Sequence, residues 1–259
     1  MPTQDKRGFN TRALDPQSPW FLPHAHTMSL SLTSTYTNDS LEPPANPELA
    51  FKYARIAHPN GELLEHTIAS LENGQEAAGA ADGMRAISLT MASILHPSRQ
   101  GIIVSTSPLY SDTYRFFMMD IVPRGKQYIL LNSPESCAID FKNIIIHAPQ
   151  EAPIEALFIE SPANPTLTVW DIKALSHVAH EYGIPVIVDS TFATPYNCRP
   201  LELGADFVIQ SLTKYYCGHG TTLGGAVISS HERIKQIKER RQREGGHLHP
   251  MAAWLIQEG

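Results

Sequence analysis

The sequence predicts an α/β fold, a mostly parallel sheet with helices on both faces. Three observations carry this. Short apolar runs such as Gly101-Ile-Ile-Val-Ser105, Ala156-Leu-Phe-Ile-Glu160 and Ile184-Pro-Val-Ile-Val-Asp189 have the continuous apolarity of strands buried on two sides. Helical patterns lie between such runs, so strand and helix alternate. With 259 residues and 42% hydrophobic content, the chain can bury one large domain and still spare a small arm.

Residues 1–59 are polar and Pro-containing, with no strong helical period. They read as an extended N-terminal arm, which leaves 60–259 as the α/β domain. A helix is expected over 61–71, where Leu63, Leu64, Ile68 and Leu71 recur at helical spacing. Asn73-Gly74 marks a turn. A second helix follows over 82–95, with Asp82 as its N-cap. The strand at 101–105 leads into a loop holding Tyr110. Further short strands are expected at 128–131, 143–146 and 156–160, the last running into Ser161-Pro-Ala-Asn-Pro165. Residues 171–182 are amphipathic and stop at Gly183. Strands then begin at Ile184 and Phe207, followed by one over 224–229. The basic run 235–244 is interleaved with acids and reads as a solvated helix.

Composition removes several function classes. A net charge of −6 and a pI near 6.0 provide no electrostatic basis for nucleic acid or anionic membrane. No apolar run approaches the roughly 20 residues of a membrane span, and the N-terminus lacks the apolar core of a signal peptide. Cys137, Cys198 and Cys217 are odd in number and unpatterned, which suits a reducing compartment, with the cytoplasm as the expectation. His177 and His180, with Glu181, have helical spacing for metal ligands but sit on a polar face with no further ligand nearby, so no metal is expected. No G-x-G-x-x-G follows a strand, which disfavours a dinucleotide site.

Chemistry concentrates at two strand ends. One apolar run ends in Asp189, and the run from Phe207 ends in Ser211-Leu-Thr-Lys214. In a parallel sheet the carboxyl ends of strands face the ligand crevice, so Asp189, Ser211, Thr213 and Lys214 are expected to converge. A Lys on the buried side, its pKa open to lowering, suits Schiff-base chemistry. An Asp beside a pyridinium nitrogen is the usual companion of such a Lys in pyridoxal phosphate sites.

Glu160-Ser-Pro-Ala-Asn-Pro-Thr166, Val188-Asp-Ser-Thr-Phe-Ala-Thr-Pro195, Ser211-Leu-Thr-Lys-Tyr215 and Gly218-His-Gly220 with Gly224-Gly225 occur in order. In these motifs the chain resembles the Cys/Met-metabolism family of fold-type-I pyridoxal phosphate enzymes, which includes cystathionine γ-synthase, cystathionine lyases, methionine γ-lyase and O-acetylhomoserine sulfhydrylase. The resemblance implies the large domain of a fold-type-I PLP-dependent transferase, with pyridoxal 5'-phosphate held by Lys214. It implies that Lys214 then serves as general base, that Asp189 keeps the ring nitrogen protonated and that Asn164 donates to the ring hydroxyl oxygen. Tyr110 would stack on the ring and share in proton transfer. Backbone N–H groups of Gly83 and Met84 would cradle the phosphate, with hydroxyl donors from Ser211 and Thr213. Tyr53 and Arg55 match a Tyr-x-Arg that reaches the phosphate of a neighbouring subunit, which implies a homo-oligomer, dimer or tetramer. His219, beside Gly218 and close to Lys214, is expected either to be structural or to support the site from behind the groups that touch the ligand.

The resemblance also has departures. Asp82 stands where the family has Ser, and a carboxylate near a phosphate is unfavourable unless it turns away to cap the helix. His58-Pro59-Asn60 replaces Asn-Pro-Thr, and Asp112 follows Tyr110 where small or neutral residues are usual. The family's C-terminal domain, with the arginine that grips the substrate carboxylate, has no counterpart in these residues; Arg240, Arg241, Arg243 or an arginine of a neighbouring subunit would be the substitute. The expectation is a PLP-dependent carbon–sulfur lyase or γ-replacing transferase acting on an amino-acid substrate: cystathionine, methionine or an O-acylhomoserine. The alternative is a truncated, catalytically weak cofactor-binding remnant acting through a partner.

Overall fold

Along the computed structural model the elements run α1 (Phe9–Leu14), α2 (Pro59–Leu71), β1 (Glu76–Ala80), α3 (Gly83–Ile94), β2 (Gly101–Thr106), α4 (Ser111–Phe116), β3 (Lys126–Leu131) and α5 (Cys137–His147). They continue as β4 (Ile154–Glu160), α6 (Ile172–Glu181), β5 (Val186–Asp189), α7 (Thr194–Asn197), β6 (Phe207–Gln210), β7 (Gly225–Ser229), α8 (His231–Glu244) and α9 (Pro250–Glu258). The structure describes residues 7–14, 27–37 and 51–259. They fall into two units, Ile87–Gln210 and the remainder, Met1–Ala86 with Ser211–Gly259.

Ile87–Gln210 holds five parallel strands in the order β6-β5-β4-β2-β3. Ile102, Ile103 and Val104 on β2, Leu157, Phe158 and Ile159 on β4, and Val186, Ile187 and Val188 on β5 are buried on consecutive positions. Both sheet faces are therefore covered, as the unbroken apolar runs require. Asp171 caps α6 by accepting from Ala174 N at 2.9 Å, and Gly183 ends it at φ 68°. Leu175, Val178 and Ala179 form its buried face. Phe117 stacks on Tyr128 at 5.0 Å and meets Phe158 edge-on at 5.3 Å, an aromatic cluster on β3 and β4.

In the other unit β1 pairs antiparallel with β7, from Glu76↔Ser229 to Ala80↔Gly225. Helices α2 and α8 pack on β1, and α9 packs on α2. His58 caps α2, with Gly61 N donating to its Nδ1 at 2.9 Å. Leu63, Leu64, Ile68 and Leu71 are buried, as their spacing predicts. Among the described residues no helix is long and apolar enough to cross a membrane.

Three expectations are corrected. Residues 143–146 are not a strand but the end of α5. The Ile144–Ile146 run suggests β structure, yet Cys137 and Phe141, one turn apart, are the buried anchors and Ile146 is exposed. The strand β1 is absent from the expectations because Glu-Ala-Ala-Gly-Ala has no β-branched residue. Its small side chains admit α2 and α8: Gly79 N donates to Glu65 Oε1 at 2.8 Å and Gly79 O accepts from Arg241. Finally, α8 is not a fully solvated helix, since Ile234, Ile237 and Arg241 are buried. Within the expected arm, 9–14 is helical and Thr35 bridges Tyr53; residues 1–6, 15–26 and 38–50 of that segment lie outside the described residues.

Candidate functional site

In Ile87–Gln210 the parallel register sets Glu160 at the end of β4 beside Asp189 at the end of β5. Burial raises the Asp189 pKa, while hydrogen bonds from Thr191 N (3.1 Å) and Thr191 Oγ1 (2.6 Å) to its Oδ1 pull the other way. The net shift is upward. Glu160, only 5% exposed, is pushed up to about 7 by burial and then by the Asp189 charge. Its Oε2 accepts from Tyr110 N at 2.7 Å and its Oε1 from Asn164 N at 2.8 Å. One carboxylate thus holds both the loop before α4 and the turn after β4.

Tyr110 is 40% exposed, its ring available, and its hydroxyl donates to Asp112 Oδ2 at 3.2 Å. That hydrogen bond, ahead of burial, raises the phenol pKa. Asp112 is also paired with Arg115 at 3.2 Å, so its charge is partly compensated.

In the other unit the segment after β6 turns back at once. Lys214 N donates to Ser211 O at 3.2 Å, and buried Leu212 anchors the turn. Thr213 Oγ1 donates to Gly224 O and accepts from Gly224 N, so its one hydroxyl proton is engaged. At the start of α3, a Cβ on Gly83 would lie 3.0 Å from Ser211 Cβ, a contact tight enough that Ser211 would have to give way, so glycine suits this close approach. A Cβ on Gly225 would collide with the Asp82 carbonyl, which explains the second glycine of the pair. The Asp82 side chain turns back to cap α3, accepting from Arg85 N at 2.7 Å. The Coulomb conflict expected for this carboxylate is thereby relieved.

Lys214 departs from its expectation. It is exposed rather than on a buried side, because the turn after Leu212 carries it outward, and no ion pair holds it among the described residues. Tyr53 and Arg55 face each other, the guanidinium 5.1 Å from the ring centroid, and Arg55 Nη1 donates to Gln242 O on α8. Arg241 is committed to Glu65 at 2.6 Å and to Gly79 O, and Arg240 to Glu244 at 2.6 Å. His177 pairs with Glu181, His180 with Asp206, and no metal-holding cluster occurs among the described residues. His219 Nε2 meets Leu255 O at 3.0 Å and its Nδ1 meets Thr221 Oγ1 at 2.8 Å. Sequence reasoning missed Glu160 and Thr191. The signal for Glu160 was there, since it ends an apolar strand just as Asp189 does.

Each unit by itself holds groups of a kind that suits pyridoxal 5'-phosphate. In Ile87–Gln210 it is the desolvated Asp189 carboxylate, suited to a protonated ring nitrogen. In the other unit Lys214 is an exposed primary amine, and the N-terminus of α3 lies against Ser211. Comparison with known proteins points the same way. L-methionine gamma-lyase of Porphyromonas gingivalis is 34% identical over 88% of this chain and 56% of its own length. A Bacillus subtilis cystathionine gamma-synthase/O-acetylhomoserine (thiol)-lyase is 37% identical over 81% of the chain and 54% of its own. The chain therefore spans little more than half the length of these relatives. The crystal structure of cystathionine gamma synthase from Xanthomonas oryzae pv. oryzae, in complex with aminoacrylate and cysteine, superposes with a TM-score of 0.83 at 26% identity, over 97% of this chain and 62% of that one. The fold is thus that of the large domain of fold-type-I PLP-dependent enzymes. With residues 18–259 matching the family described as Cys/Met metabolism PLP-dependent enzyme, the chain belongs to that family.

Proposed function

We propose that this chain binds pyridoxal 5'-phosphate through Lys214 and works in sulfur amino acid metabolism. Its reaction would be β- or γ-elimination, or γ-replacement, on cystathionine, methionine or an O-acylhomoserine. The observation that carries the reading is the exposed, unpaired Lys214 amine just beyond β6, in a chain of this family. When bound, the cofactor supplies an electron sink for the pair left at the substrate's α-carbon. Lys214 Nζ takes the α-proton and returns a proton to Cβ or to the departing sulfur. The Asp189 carboxylate accepts from the ring nitrogen and keeps it protonated. Asn164 would donate to the ring hydroxyl oxygen, and Tyr110 would stack on the ring and share in proton transfer. Gly83 and Met84 N–H groups and the Ser211 and Thr213 hydroxyls would hold the phosphate.

Tyr53 and Arg55 lie on the exposed surface, the position a residue needs to reach a neighbouring subunit's phosphate. We therefore read the working form as a homo-oligomer, dimer or tetramer. Its free cysteines suit the cytoplasm. A catalytically weak cofactor-binding protein is the second reading. It is favoured by the commitment of Arg240 and Arg241 to Glu244 and Glu65, which leaves neither to grip a substrate carboxylate. Borohydride reduction after incubation with pyridoxal 5'-phosphate, then peptide mapping, tests the first claim. Label on Lys214 and none in Lys214→Ala is expected; label elsewhere, or none at saturation, refutes it. Release of 2-oxo acid from cystathionine, methionine or O-acetylhomoserine by the same sample separates the two readings.

A further inference from the structure

We propose that Glu160 is a positioning residue for this site, its two carboxylate oxygens tying the Tyr110 loop and the Asn164 turn into one unit. Tyr110 and Asn164 are the two residues assigned above to the ring face and the ring hydroxyl, and the inference rests on that reading. Each oxygen has its own donor: Tyr110 N at 2.7 Å on Oε2 and Asn164 N at 2.8 Å on Oε1. The residue itself is clamped, because its own N–H donates to Thr106 Oγ1 at 3.1 Å and β4 is held between β2 and β5.

The geometry explains the residue type. With one N–H on each oxygen, both oxygens must accept, and an ionised carboxylate, acceptor-only at both atoms, does this best. Gln would turn an NH2 group against one of them, and Asp would be a methylene too short to reach both.

The surroundings make the tie sensitive to protonation. Asp189 on β5 and the Tyr128 hydroxyl on β3 are the titratable groups electrostatically coupled to Glu160. Burial and Asp189 hold its pKa near 7, against the two N–H groups that lower it. A protonated ring nitrogen against Asp189 offsets that neighbouring charge, so cofactor binding favours the ionised, two-handed form of Glu160. Cofactor affinity should then weaken as pH falls through about 7.

Amide hydrogen exchange on the cofactor-free chain, corrected for intrinsic pH dependence, tests the tie without any turnover. In the native chain the Tyr110 and Asn164 amides should lose protection together as pH falls, with a shared midpoint near 7. In Glu160→Gln, protection at one or both should fall about tenfold or more, the loss of a charge-assisted hydrogen bond. The midpoint should vanish, and the amides of β4 and β5 should stay protected. Affinity for pyridoxal 5'-phosphate, by absorbance titration, should drop by a similar factor. Native amides with separate midpoints, or with none, would overturn the proposal, and so would unchanged protection and affinity in Glu160→Gln. Loss of protection throughout β4 and β5 would also overturn it, because Glu160 would then be a general support of the sheet. If the native chain binds no pyridoxal 5'-phosphate at any pH, the functional reading fails while the exchange data still decide the tie.

Discussion

Asp189 shows how one residue can be placed by a strand and tuned by its neighbours. Burial raises its pKa, whereas the Thr191 N–H and hydroxyl resist the rise. A carboxyl raised in the fold contributes stability that is full below its unfolded pKa and is lost as pH rises through the folded value. Asp189→Asn should therefore stabilise the cofactor-free protein at neutral and alkaline pH and have little effect in acid, as urea midpoints across pH would show. Function should respond in the opposite direction. In Asp189→Ala the borohydride-stable label on Lys214 should persist while elimination falls by about a hundredfold or more, since an unprotonated ring is a poor electron sink. Elimination unchanged in that variant would remove Asp189 from its role. The same residue is thus expected to destabilise the empty fold and to serve the loaded one, a trade commonly found where charge is held for chemistry.

Among elements, α8 is the most instructive, because its charges are not surface decoration. Lys238 reaches Glu65 and Glu76, each at 2.8 Å, and Glu62 at 3.7 Å, while Arg241 pairs with Glu65 at 2.6 Å. Arg241 holds the Glu65 carboxyl well below the usual range against strong desolvation, and the three carboxylates drive the Lys238 pKa upward. Removing one partner of a buried pair leaves an uncompensated charge, so Arg241→Leu should cost about 3–5 kcal/mol in urea unfolding. Arg241→Leu with Glu65→Leu should recover most of that loss; failure to recover would show that the helix depends on the charges themselves. Just beyond α8, the His247 ring lies 4.9 Å from that of His58, and neither of its nitrogens has a hydrogen-bond partner among the described residues. Burial, reinforced by Arg241, lowers its pKa to about 3. This contribution to stability is present above the ordinary value of 6.5 and is lost as pH falls toward 3. His247→Phe should flatten the acid limb of the stability curve between those limits, and it removes two unsatisfied atoms worth about 1–3 kcal/mol each when buried. A steeper acid limb in the variant would contradict this.

At the scale of the whole molecule, the open question is assembly. Tyr53 and Arg55 form an exposed cation–π pair, with Arg55 also bonded to Gln242 O. Arg suits bidentate phosphate recognition, and this Arg is exposed, with its guanidinium on the surface. If it serves a neighbour's cofactor, mixing Arg55→Ala chains with Lys214→Ala chains should regenerate one complete site in each hybrid dimer. Labelling of Lys214 and restored turnover in folded, well-mixed hybrids would be the positive result. Hybrids no better than either parent would assign Arg55 to its own subunit or to no site.

The alternation of strand and helix in outline, the doubly buried strands β2, β4 and β5 and the strand-end residue Asp189 were legible in the sequence alone, whereas β1, the helical state of 143–146 and the exposure of Lys214 were not. What was legible is written in a local signal: an unbroken apolar run, a cap such as Asp171 with its stop at Gly183, or a carboxylate where a buried strand must end. The motifs around Glu160 and Lys214 went further and identified the family. What only the tertiary structure decided depends on groups far apart in the chain. The strand β1 has no β-forming residue and exists because β7 pairs with it and α2 and α8 need its small side chains. Arg241 looks like one more charge in a solvated run until Glu65, 176 residues away, meets it in the interior. Glu160 gains its meaning only when the register of β4 on β5 sets it beside Asp189 and two loops bring their N–H groups to it. Local periodicity and end signals are carried by neighbours in sequence. Pairing, desolvation and charge compensation are carried by neighbours in space, and no single sequence pattern states them.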